Sequence, residues 1–114
     1  MPRYVDGYVL ALPKKNLAAY RKMSEQAGKV WMEYGALDYK ECAGEDFTEP
    51  SMLTSFPKLL KLKRGETLVF SWIVYKDKAQ RDAVNKKIMS DPRLKMPKVM
   101  PFDLKRMVYG GFAV

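Results

Sequence analysis

The sequence contains no histidine and only one cysteine, Cys42. The missing histidine excludes Ser-His and Cys-His catalytic pairs, His-ligated zinc and His-ligated haem. A single cysteine excludes an internal disulfide framework and fits a reducing compartment. No apolar run approaches the ~20 residues that span a bilayer, and the N-terminus lacks the apolar stretch of a signal peptide. We therefore expect a cytoplasmic protein without a membrane partner.

The chain has 114 residues, of which 47% are hydrophobic and 30% are charged, a composition typical of globular proteins. This length predicts a single domain over residues 1–114. The net charge is +8, and the excess lies in residues 58–106, which carry 14 basic and 5 acidic residues. Because a charge run is most often a solvated surface, we do not expect a nucleic-acid partner, and RNA binding through this basic half is the weaker alternative.

Alternating or β-branched segments predict four strands. They cover residues 3–12, 36–44, 67–75 and 105–113. Helical spacing connects Leu17 to Tyr34, between Asn16 at the N-cap and Gly35 just beyond the C-terminus. Residues 45–65 are irregular, and their segment 56–62 fits either a short helical turn or an extra strand.

A second helix begins after Asp77, which forms a capping-box-like pair with Gln80, and ends at Asp91-Pro92. The order strand–helix–strand, repeated twice, predicts an α+β fold: a ferredoxin-like split βαβ protomer with a four-stranded antiparallel sheet and two helices on one face. The helix-free face would then expose apolar side chains. A second copy of the chain is the simplest cover, so we predict a homodimer formed through the helix-free sheet face.

Ten sequence blocks occur in an order that resembles one protein family. They are YVDGY at 4–8, ALP at 11–13, AYR at 19–21, GAL at 35–37, EC at 41–42, FSWIVY at 70–75, RDA at 81–83, MSDPR at 89–93, MPFD at 100–103 and KRMVYGGF at 105–112. Together they resemble the YbaA-like family of small uncharacterised bacterial proteins, a domain of unknown function in the dimeric α/β-barrel superfamily. The sequence departs from the family's usual pattern over residues 44–64.

The resemblance implies a dimeric α/β barrel, but it carries over no reaction and no cofactor. Related families include cofactor-free monooxygenases, isomerases, haem-dependent enzymes and ligand-binding regulators. Fold analogy alone does not choose among these activities. We expect no cofactor and no metal.

Asp6 is the predicted catalytic residue. Tyr4, Asp6 and Tyr8 share one face of the first strand, and we predict that this face lines a lumen between the helix-free side of the sheet and the loops at its end. A carboxylate in a half-buried strand is either a general acid or base with a raised pKa, or the partner of an ion pair or hydrogen bond. Tyr109 and Arg106 are the partners considered for it, and alternation allows only one of them to share its face.

The remaining predicted pocket residues are Ser71, Trp72, Arg93 and Tyr109. Ser71 and Trp72 are neighbours in the strongest strand, so only one of them faces the lumen, and the sequence does not decide which. Arg93 either reaches a ligand carboxylate or forms a loop bond with Asp91.

The leading hypothesis is a protein that binds an unknown small molecule in the lumen, with cofactor-free oxygenase- or isomerase-like chemistry as an extension of it. A non-catalytic binding or regulatory module is the alternative. The residues do not decide whether the protein is an enzyme.

Overall fold

Four strands and three helices appear in a computed structural model of the chain, which describes residues 2–94 and 97–114. They are β1 (Tyr4–Pro13), α1 (Leu17–Glu33), β2 (Asp38–Ala43), α2 (Phe56–Leu59), β3 (Glu66–Tyr75), α3 (Lys78–Met89) and β4 (Val108–Ala113). Within the described residues, no helix is both long and apolar enough to cross a membrane.

The four strands form one antiparallel sheet in the order β2-β3-β1-β4. The two long strands, β1 and β3, pair along their full length at the centre, from Tyr4 opposite Tyr75 to Pro13 opposite Glu66. This is the ferredoxin-like arrangement that the element order predicts. The predicted α+β fold is therefore confirmed.

The helix boundaries follow the local chemistry read from the sequence. At the start of α3, the Asp77 carboxylate accepts a hydrogen bond from the backbone N–H of Gln80 (2.8 Å), and the Gln80 side chain accepts one from the backbone N–H of Lys76 (2.6 Å). At the end of α1, Gly35 adopts φ +111°, which glycine reaches without a Cβ clash. The segment 56–62 contains the one-turn helix α2 and not an additional strand.

The last strand begins three residues later than the sequence predicts. Residues 104–106 form a 3-10 turn, in which the Asp103 carboxylate accepts a hydrogen bond from the backbone N–H of Lys105 (3.0 Å). The Arg106 guanidinium binds both Asp103 (2.7 Å) and Glu66 (2.5 Å). These ion pairs turn the chain at Arg106, so regular pairing with β1 starts only at Val108.

The two faces of the sheet bury different residues of β1. Leu10 and Leu12 pack with Tyr20 of α1 on the face covered by α1 and α3. Val9 and Ala11 point to the opposite face, which is called the helix-free face here because α1 and α3 do not cover it. Leu60, just beyond the short helix α2, packs against them. The segment after β2 therefore covers one end of that face.

The predicted orientation of Tyr4, Asp6 and Tyr8 is wrong. Tyr4 and Tyr8 pack against the cluster that contains buried residues of α1 and α3, and Asp6 binds Arg81 of α3. Alternation along β1 correctly groups the three side chains on one face. It cannot identify which face the helices cover, because that depends on how the chain crosses over the sheet.

The rest of the helix-free face is apolar and exposed. Phe70 is 44% exposed, and the β4 residues Val108 and Phe112 are also exposed. The Phe70 ring lies 6.1 Å from that of Phe56 and 5.8 Å from that of Trp72, measured between centroids. Apolar patches on a protein surface often mark sites of protein–protein contact.

Candidate ligand-binding site

A cavity of about 450 Å³ lies between the helices and the sheet. Its walls come from β1, β2 and β3 on the sheet side, from α1 and the end of α3 on the helix side, and from the chain that leads into β4. The lining is mostly apolar and aromatic, as is usual for small-molecule sites.

Glu41 of β2 places a carboxylate in the cavity wall. The Tyr20 hydroxyl donates a hydrogen bond to its Oε1 atom (2.6 Å). The Oε2 atom is buried and has no hydrogen-bond partner among the described residues. The hydroxyl of the nearby Ser24 donates to the Arg21 carbonyl oxygen (3.0 Å). Burial raises the pKa of the Glu41 carboxyl, and the hydroxyls of Tyr20 and Ser24 oppose that rise.

Aromatic rings line the same cavity as this carboxylate. Trp31 and Tyr39 lie 5.8 Å apart between ring centroids, and Tyr20 meets Phe102 edge-on at 5.7 Å. The Trp31 indole N–H donates to the Tyr75 hydroxyl (3.1 Å), which fixes the orientation of the indole ring. Burial raises the pKa of Tyr20 and Tyr39 above the usual value for a phenol, so both side chains are neutral.

Three of the predicted pocket residues line this cavity: Tyr8, Ser71 and Arg93. Ser71 is buried in β3 and faces the helices, so it is the member of the Ser71–Trp72 pair that reaches the cavity. The Arg93 guanidinium binds Asp91 (2.8 Å) and Glu33 (2.8 Å), and its hydrogen bonds hold the pKa of Asp91 well below the usual range. The loop bond considered for Arg93 is thus present, at the edge of the cavity.

Trp72 lies on the opposite face of the sheet. Its indole N–H donates to the Asp38 carboxylate (3.2 Å), and its ring is next to Phe70 on the helix-free face. Residues i and i+1 of a strand point to opposite faces, so Trp72 cannot share a cavity with Ser71.

Tyr4, Asp6 and Tyr109 form a second polar cluster, which does not line the cavity. Asp6 is fully buried, and its Oδ1 atom accepts hydrogen bonds from Arg81 Nη1 (2.8 Å) and from the Tyr109 hydroxyl (3.3 Å). The Arg81 guanidinium also stacks on the Tyr4 ring, 4.8 Å from its centroid. Burial raises the pKa of Asp6, while the charge of Arg81 opposes that rise.

Arg81 is the ion-pair partner that the sequence did not reveal. Its charge suggests a solvated position on α3, yet its side chain is only 13% exposed. Of the partners considered for Asp6, Tyr109 contacts it, whereas Arg106 binds Glu66 and Asp103. The spacing Asp77–Arg81–Val84–Ile88 would have placed Arg81 on the inner stripe of α3.

Glu41 and Tyr20 line the cavity but were not predicted as pocket residues from the sequence. The alternation of β2 puts Tyr39 and Glu41 on one face, and the helical period puts Tyr20 on the inner stripe of α1. The sequence pattern that could have identified Glu41 is an acidic residue on the same strand face as a core tyrosine.

Comparison with known proteins places the chain in a family. Residues 3–104 match the family described as "Protein of unknown function (DUF1428)". The chain belongs to this family. It is 47% identical over 111 residues to "Uncharacterized protein YbaA" of Escherichia coli K12, an alignment that covers 96% of this chain and 94% of that protein. The protein of the same description from Shigella flexneri matches equally. The predicted membership in the YbaA-like family is confirmed.

A solved structure supports the fold of this DUF1428 member. The crystal structure of a "dimeric ferredoxin-like protein" from an uncultured marine organism matches with a TM-score of 0.66 and 15% sequence identity. The match covers 100% of this chain and 96% of that one. At this identity the likeness concerns the fold alone, and dimerisation is a property of that protein.

Proposed function

We propose that this protein binds a small molecule in the cavity between the helices and the sheet. The observation that carries the proposal is Glu41: it lines the cavity, and its Oε2 atom is buried without a hydrogen-bond partner among the described residues. A buried polar atom that lacks a partner is costly in a folded protein and calls for an explanation. Rotation of the Glu41 carboxylate towards the cavity would let a bound ligand supply the missing partner.

The size and lining of the cavity support this proposal. Drug-sized and metabolite-sized ligands occupy sites of roughly 300–1,000 Å³ with apolar walls and a few fixed polar groups. The volume of about 450 Å³ and the aromatic lining fall within that description. Tyr8 and Ser71 contribute further hydroxyl groups to the wall.

A catalytic version of the proposal gives Glu41 the role of proton acceptor, in place of the predicted Asp6. Its carboxyl is close to the aromatic walls and has a pKa raised by burial, as general bases commonly do. Cofactor-free isomerase- or oxygenase-like chemistry would begin with such a proton transfer. Without proton transfer, the same site is a non-catalytic binding or regulatory module.

We further propose that the protein is a homodimer formed through the helix-free sheet face. The exposed patch of Phe70, Val108 and Phe112 supports this assembly, because a second copy would remove it from water. The cavity lies on the opposite side of the sheet, so dimerisation and ligand binding use separate surfaces. A cytoplasmic location is also a proposal, and it rests on the lone cysteine.

Replacing Ala27 tests the cavity. Ala27 lines it from α1, so an Ala27→Phe side chain is expected to occupy space that a ligand needs. We expect at least one of three naphthalene probes (1-naphthylmethylamine, 1-naphthylmethanol or 1-naphthoate) to bind saturably to the wild-type protein, with affinity reduced about tenfold or more in Ala27→Phe. Titrations followed by NMR give both values.

The matched control is Ala19→Phe, the same change at an exposed position of α1 outside the cavity. It should bind the probes as the wild type does. If no probe binds at millimolar concentration, or if both variants bind as the wild type does, the proposed site is wrong.

A further inference from the structure

We infer that the natural ligand of this cavity is an organic cation: a protonated amine on an apolar, preferably aromatic, body. The inference rests on the proposed function and concerns which class of molecule the same site selects. It follows from two features of the cavity, its charge and its rings.

Among the described residues that line the cavity, the charge without an opposite partner is that of a carboxylate, although the protein as a whole is basic. Among the described residues that line it, the ionisable groups other than tyrosine are Glu41 and Arg93. The positive charge of Arg93 is already held by Asp91 and Glu33. Glu41 has no ion-pair partner among the described residues, and the groups beside its carboxylate are the neutral hydroxyls of Tyr20 and Ser24. A carboxylate buried in this way either takes up a proton or pairs with an opposite charge, and an ammonium group supplies that charge.

The rings around Glu41 favour the same ligand. Trp31, Tyr39 and Tyr20 line the cavity and are neutral, and the faces of such rings are electron-rich. Cations bind over the faces of such rings, and aromatic enclosures recognise ammonium groups in this way. A ligand with a carboxylate would be repelled by the charge of Glu41 and by the electron-rich faces of the rings. A neutral alcohol would satisfy the hydrogen bond of Oε2 but would not balance its charge.

The three naphthalene probes separate these cases, because they share one aromatic body and differ in charge. We expect 1-naphthylmethylamine to bind the wild-type protein about tenfold more tightly than 1-naphthylmethanol, and 1-naphthoate to bind most weakly. Isothermal titration calorimetry at neutral pH measures the three dissociation constants.

Glu41→Gln tests the origin of that preference. It keeps the size of the side chain and removes its charge, so the amine should lose about tenfold in affinity while the alcohol changes by less than about twofold. Glu25→Gln is the matched control, since it removes the same charge from an exposed position of α1 outside the cavity. In the wild-type protein, the carboxyl ¹³C resonance of Glu41 should also shift on addition of the amine, a readout that does not depend on how the variant folds.

The outcomes distinguish this inference from the proposed function. Equal binding of alcohol and amine, or an amine preference that survives Glu41→Gln without a shift of the Glu41 resonance, overturns the cationic ligand and leaves the cavity as a binding site. Absence of binding by all three probes overturns both.

Discussion

Asp6→Ala is expected to lower the free energy of unfolding by about 3 kcal/mol, the largest stability loss for any single change considered. Asp6 is fully buried and holds Arg81 through an ion pair of 2.8 Å. Removal of the carboxylate leaves a guanidinium that is 13% exposed with only the surface residue Asp82 as a carboxylate partner. Urea denaturation at neutral pH measures the loss.

Asp82→Ala is the matched control. Asp82 binds the same guanidinium at 2.7 Å, but its side chain is 60% exposed, so its loss should cost below about 1 kcal/mol. The double variant Asp6→Leu/Arg81→Met removes both buried charges and should recover much of the stability lost in Asp6→Ala. If Asp6→Ala is as stable as Asp82→Ala, the buried pair does not have the structural role assigned to it.

Phe70→Lys is expected to convert the proposed dimer into a monomer. Phe70 is 44% exposed at the centre of the aromatic patch on the helix-free face. A two-fold interface contains each substitution twice, and each lysine would bring an unpaired charge into an apolar contact. We expect the dimer dissociation constant to rise by about 100-fold or more. Light scattering coupled to size-exclusion chromatography compares the mass with the 13.2 kDa of a single chain.

The control for this change is Met32→Lys. Met32 is 45% exposed, which matches Phe70, but it lies on α1 at the other side of the sheet. Its substitution should leave the mass of the dimer unchanged. A wild-type protein that runs as a monomer at micromolar concentration would contradict the assembly, and so would a Phe70→Lys variant that remains dimeric.

The fold could be predicted from the sequence because the local preferences of its segments agree with the structure that the whole chain adopts. The β-branched and aromatic run 67–75 becomes the central strand β3, Asp77 and Gln80 cap α3 as predicted, and Gly35 ends α1. The start of β4 could not be predicted from the sequence, because the turn at 104–106 depends on ion pairs from Arg106 to distant Glu66 and to neighbouring Asp103.

The residues of the site could be predicted only in part from the sequence, because the rest depend on how the helices pack on the sheet. Alternation grouped Tyr8 with Asp6 on one face, but only Tyr8 lines the cavity, whereas Asp6 is bound by Arg81 of α3. Arg81 resembled a solvated residue because charge normally marks the outer face of a helix. Glu41 was not predicted as a site residue, since its burial beside Tyr20 follows only from the packing of α1 over β2.

Intermolecular nuclear Overhauser effects between 1-naphthylmethylamine and the wild-type protein show where the probe binds. We expect contacts from the naphthalene protons to the side chains of Ala27, Trp31 and Tyr39, all of which line the cavity between the helices and the sheet. Contacts confined to Phe70 and Trp72 on the helix-free face, with none to the cavity, would contradict it.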